Sequence, residues 1–111
     1  YENDNDIDVK RIIAWGYLVN CKPNDAERVY DWIVNSDRAI DSDWLNCGYV
    51  KFILSKTAEA VRCFQRFVEQ SGATDQRELL KRELANDWKI LSKNGVKDYE
   101  AHLIVDIVMT K

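Results

Sequence analysis

Residues 41–74 read DSDWLNCGYVKFILSKTAEAVRCFQRFVEQSGAT, and this stretch decides the fold. Ser42 or Asp43 can cap a helix that runs through Trp44, Cys47, Gly48, Val50, Ile53 and Leu54. Thr57 offers a second N-cap, ahead of Ala60, Phe64, Phe67 and Val68. In both halves the apolar residues return at the three-to-four spacing of a helix with one covered face. Gly72, in the polar stretch 71–75, suits the left-handed conformation that ends a helix. Gly48 and Ala60 are small enough to let two helix backbones approach, since larger side chains would hold them apart. Trp44 and Phe64 then fill the remaining space, each contributing about 1.5–3 kcal/mol on burial. The stretch predicts a helical hairpin.

A shift of 34 positions lays this hairpin on the residues before it. Ala26 falls on Ala60, Tyr30 on Phe64 and Ile33 on Phe67; Ile13 falls on Cys47, Ala14 on Gly48 and Trp15 on Tyr49. Small residues meet small residues and aromatics meet aromatics. A period of 34 with two helices per unit is that of the tetratricopeptide helix-turn-helix. Residues 41–74 resemble such a repeat in their Trp44, Gly48, Ala60, Phe64 and apolar Phe67. Residues 7–40 resemble a less complete copy, with Ala14, Tyr17, Ala26 and Tyr30 in register. Four positions depart from the family pattern. Lys51 stands in place of an aromatic, Ser55 of glycine, Phe67 of a small residue, and Lys10 of tryptophan.

Outward from the two copies, residues 1–6 are acidic and polar and read as a flexible tail. A first helix runs over residues 7–21. The stretch 22–25, with Pro23 where a helix start tolerates it and Asn24 or Asp25 as a cap, opens the next. Beyond the second copy, residues 75–93 predict one long helix, with Leu80, Leu84, Trp88 and Leu91 in a row. Asn94-Gly95 ends it. A last helix over residues 98–109 is apolar nearly all round and needs cover on more than one face. Asn94 occupies the place of the repeat's alanine, and Ala101 is the candidate for that role. Residues 75–111 therefore read as a divergent repeat that caps the stack, similar to terminal segments of bacterial repeat proteins. The expectation is all-α, about six helices in three antiparallel pairs over residues 7–111. The resemblance implies a right-handed α-solenoid.

Composition agrees and removes several function classes. Four glycines and one proline in 111 residues are too few for the turns of an all-β domain. The net charge is −3, and the 16 Lys and Arg are interleaved with 19 Asp and Glu, so no basic face for nucleic acid is expected. No apolar run reaches the length of a membrane helix. The chain begins at Tyr1 without a signal-like segment, as a piece of a longer protein would. Gly-rich phosphate loops, paired metal-ligand motifs and nucleophile–base signatures are missing, so neither catalysis nor a cofactor is expected. His102 reads as a packed or partly exposed histidine. Cys21, Cys47 and Cys63 lack CxxC spacing. Free buried thiols in a reducing, cytoplasmic compartment are one reading, and a Cys47–Cys63 pair in an exported protein is the other.

What the resemblance implies is a module for protein–protein interaction. Its groove is lined by the first helix of each pair and holds a peptide or partner segment. Carried over by register, the partner-binding candidates are Arg11, Trp15, Leu45, Asn46, Tyr49 and Phe52, with Leu18, Val19 and Ile53 beside them. Arg77, Leu80 and Lys81 are the counterparts in the third pair. Aromatics can take partner side chains, and an Asn amide can bind peptide groups in both directions. The family's carboxylate clamp for chaperone tails is not expected. Arg11 and Asn46 match two of its positions, but Trp15, Gln76 and Leu80 replace the rest. The alternative is a structural, oligomerisation or regulatory segment of a larger protein, in which the apolar faces self-associate.

Overall fold

One turn geometry recurs after three of the helices. Cys21 and Ser55, 34 positions apart, both take left-handed backbone (φ 58° and 64°). Each sits in the same hydrogen-bonded turn: the Lys22 amide donates to the Tyr17 carbonyl at 2.8 Å, and the Lys56 amide to Lys51 at 2.8 Å. Such a six-to-one bond satisfies a carbonyl that the end of a helix leaves open. Positive φ strains a side chain, so Cys21 and Ser55 stand where glycine would fit more easily. Gly95 (φ 98°) repeats the turn a third time, with the Val96 amide donating to Leu91 at 3.0 Å.

The structure is a computed structural model that describes residues 5–110, with side chains from Ile7 onward. Seven helices and no strand occur among the described residues: α1 (Asn5–Val19), α2 (Pro23–Val34), α3 (Asp41–Ile53), α4 (Thr57–Ser71), α5 (Gln76–Asn86), α6 (Trp88–Lys93) and α7 (Asp98–Thr110). Helix α1 packs on α2, α3 on α4, and α2 joins the two hairpins through α3. Helix α7 lies against α4 and α5. Residues 1–4 of the expected tail lie outside the described residues, and residues 5 and 6 open α1 instead. The caps also differ from expectation. Lys22 precedes Pro23 at the start of α2, Lys56 precedes Thr57, and Ile40 precedes α3. Asp43 acts from the third helical position, its carboxylate accepting the Ile40 amide at 2.9 Å. Asp75 and Gly72 cap as their types suggest.

One continuous core runs through all the helix pairs. Gly48 marks its tightest point. A Cβ there would lie 2.6 Å from Phe64 Cε1, and the Phe64 ring is fully buried with no room to yield. Tyr49 and Phe52 meet that ring edge-on at 6.0 and 6.4 Å between centroids. Two of the departures from the family pattern find partners. Lys10 places its ammonium 4.6 Å from the Trp32 ring centre, a cation–π contact. Lys51 is buried and bonds Glu27 (2.8 Å) and Asp31 (2.9 Å) of α2 and Glu59 (3.2 Å) of α4. An aromatic at this position could not hold three carboxylates, so charge bolts the two hairpins together here. Burial opposes the Lys51 charge, but the hydrogen bonds to Glu27, Asp31 and Glu59 outweigh it and hold the ammonium well above its usual range.

The long helix expected over residues 75–93 is two helices, which raises the number from six to seven. The break falls at Asp87, where Tyr49 enters from α3. Its hydroxyl donates to the Asp87 carboxylate at 2.6 Å and lies 3.1 Å from the Glu83 carbonyl. A side chain reaching into the backbone ladder bends a helix at that point. Gly95 follows Ser55 by 40 positions instead of 34, so the third unit carries six extra residues ahead of its turn. They form much of α6.

Candidate functional site

The residues expected to line a groove divide into those consumed by the fold and those left at the surface. Tyr49 is fully buried and Leu45 is 4% exposed, so neither can meet a partner. Burial, with hydrogen bonding to Asp87 next, drives the Tyr49 hydroxyl well above its usual range and keeps it a donor. Arg11 is engaged within the chain. Its guanidinium makes a two-pronged bond to buried Asp43 (Nε to Oδ1 2.9 Å, Nη2 to Oδ2 2.8 Å), and reaches Asp8 and the Arg38 carbonyl at 3.0 Å each. Hydrogen bonding to Asp43 raises its already high pKa further, against the opposing effect of burial. It therefore ties α1 to α3 and leaves the binding set. Trp15 and Phe52 are half-buried against the core, and half-buried Asn46 keeps its amide free of hydrogen bonds to the described residues. Leu18 and Leu80 are fully buried, and exposed Arg77 pairs with Asp106 at 2.7 Å.

The end of α6 reaches back to the end of α1. Asn94, just past α6, donates from Nδ2 to the Leu18 carbonyl at 3.1 Å, and Lys93 Nζ to the Val19 carbonyl at 3.2 Å. Exposed Cys21 places its thiol 3.7 Å from the Lys93 carbonyl. Asn94 and Lys93 satisfy carbonyls that the end of α1 would otherwise present to solvent. Asn94 is thus not a misplaced close-packing residue. Ala101 stands fourth in α7, as Ala26 and Ala60 stand fourth in α2 and α4, but it is half-buried and lines an open cleft where they are fully buried.

An open site lies between α5, α6 and α7. Leu84, Ala85 and Trp88 from α5 and α6 face Ala101 and Val105 of α7 across a cleft of about 380 Å³. Lys81, Asp98 and His102 stand at its rim, with His102 Nε2 3.4 Å from Asp98 Oδ2. The floor is apolar because Leu84 and Val105 belong to the core, each only 4% exposed. Trp88 is half-buried and supplies an indole wall with an N–H donor. His102, at an exposed position, is paired with a carboxylate and not packed in the core. The spacing of Leu84 and Trp88 predicts one apolar row on a single long helix, whereas the chain breaks between them. The pair Asn86-Asp87, poor helix formers directly before Trp88, was the available sign of the break.

Among the described residues no helix is long and apolar enough to cross a membrane, and no group of three His, Cys, Asp or Glu is placed to hold a metal ion. No protein-family model matches the chain, and no curated protein or solved structure matches it either.

Proposed function

We propose that the chain is a protein-interaction module, a right-handed stack of tetratricopeptide-like helix pairs without catalytic chemistry. The observation that carries this reading is the Trp88 cleft: an apolar floor, an aromatic wall and a rim bearing both signs of charge. A bound helix presents apolar anchors three and four residues apart, and such a cleft between two helices suits one or two of them. Lys81 on one rim and Asp98 on the other favour a partner segment whose flanking charges run from acidic to basic.

The test uses a displayed library of helical and extended peptides selected against the whole chain. Selected peptides are expected to lose at least about tenfold in affinity for Ala85→Arg, a loss of about 1.4 kcal/mol. Ala85 is exposed, so this variant fills the cleft without entering the core, and its melting temperature should match the parent's. Equal binding to parent and variant removes the cleft from the reading.

A second reading, a segment that stacks on another subunit or on further repeats, is favoured by one feature of α1. Val9, Ile12 and Ile13 are 50%, 73% and 44% exposed, an apolar stripe one helical turn apart that meets water. Sedimentation of the same samples over a concentration series separates the two, since a strict monomer leaves this face without a self-partner.

A further inference from the structure

Cys47 and Cys63 sit on facing turns of α3 and α4, one residue before Gly48 and Phe64, where the two helices come closest. Both are free, both are buried (1% and 6% exposed), and both line one cleft of about 290 Å³ between the end of α2 and the second hairpin. The groups around them are charged. Asp31 comes from α2, Lys51 from α3, and Glu59, Arg62 and Arg66 from α4. The Arg66 guanidinium stacks 4.8 Å from the Trp44 ring centre at the edge of this cleft. A core that needed only small apolar side chains here could use alanine or valine. Two thiols beside a fixed ammonium, in a cleft wide enough for a small molecule, are a chemically different arrangement.

We infer that Cys63 and Cys47 are a peroxide-reactive thiol pair that closes a disulfide between α3 and α4. Cys63 is the attacking sulfur, because it is the more accessible of the two. Its titration is biased the same way: interaction with the Cys47 thiol and the nearby Lys51 charge lower the Cys63 pKa against the opposing effects of burial and of the Asp31 and Glu59 carboxylates. The Cys63 interaction and burial drive Cys47 far up, so it remains a thiol. The Cys63 thiolate attacks one oxygen of hydrogen peroxide. The O–O bond breaks, and the departing hydroxide takes a proton and leaves as water. Cys63 is then a sulfenic acid. The Cys47 sulfur attacks Cys63, the S–S bond forms, and the S–O bond breaks. That hydroxide takes the Cys47 proton and leaves as the second water. Two thiols have given up two electrons, and one peroxide has become two waters.

The experiment treats the folded chain with hydrogen peroxide, quenches with an alkylating agent under denaturing conditions, and maps the thiols by mass spectrometry. The expected result is a Cys47–Cys63 cross-link that forms faster than oxidation of exposed Cys21. In Cys47→Ser, which lacks the second thiol, Cys63 should accumulate as a sulfenic acid that dimedone traps. Oxidation of Cys21 with both buried thiols left reduced overturns the inference. So does a cross-link that appears only when urea unfolds the chain, or a Cys47→Ser variant whose Cys63 takes no dimedone.

Discussion

In the α3–α4 hairpin, close packing depends on an atom that is absent. Gly48 lacks a Cβ, the Phe64 ring occupies that space, and the neighbouring turns follow in register. In the α5–α7 segment, placement depends on polar groups instead. Tyr49 meets Asp87 where the helix bends, and Asn94 and Lys93 reach back to the end of α1. The first kind of contact tolerates almost no change of volume. The second holds a direction, can be released one bond at a time, and is the kind from which a binding surface can be built. This difference explains why the second hairpin repeats the first while the third unit diverges.

Three measurements can break or sharpen that contrast. Replacing Phe64 by Ala empties the space beside Gly48 and should cost about 3–5 kcal/mol in urea unfolding, with the whole transition moving as one. A loss under about 1 kcal/mol would mean that the hairpin does not depend on this ring. Gly48→Ala should cost about 1–3 kcal/mol by overpacking, and far less when Phe64→Ala is already present. That coupling between neighbours is the sharper test, since two independent sites would simply add. Asn94→Ala should cost about 1 kcal/mol for its hydrogen bonds. Its signature is local: hydrogen exchange should accelerate in α6 and at the end of α1 while α3 and α4 keep their protection. Uniform loss of protection would place α6 in the same packing regime as the hairpin.

The same contrast separates what could be read in the sequence from what could not. Ala26, Ala60, Tyr30, Phe64 and Gly48 announced the hairpins because burial at a fixed helical period leaves a mark on residue type. Gly72, Pro23 and Gly95 marked ends for the same reason, each standing where few other residues fit. The site was harder to read. Arg11, Tyr49 and Asp87 each have a polar partner 32 or more positions away, and no local spacing reveals whether such a group faces solvent or another helix. Lys51 looked like a defect in the pattern and is instead the joint between the hairpins. The Trp88 cleft lies beside the break at Asp87, where the Tyr49 hydroxyl from α3 bonds the Asp87 carboxylate.

The bond from Asn94 to the Leu18 carbonyl spans 76 positions. A simple repeat array touches only its neighbours, so it can nucleate at any unit and fray from either end. Here a clasp joins the last unit to the first. Forming it requires most of the chain to be in place, which raises the contact order and slows the final step relative to an open array of the same length. In return, α1 and α6 lose the freedom to peel away separately, and the two ends of the molecule share one fate.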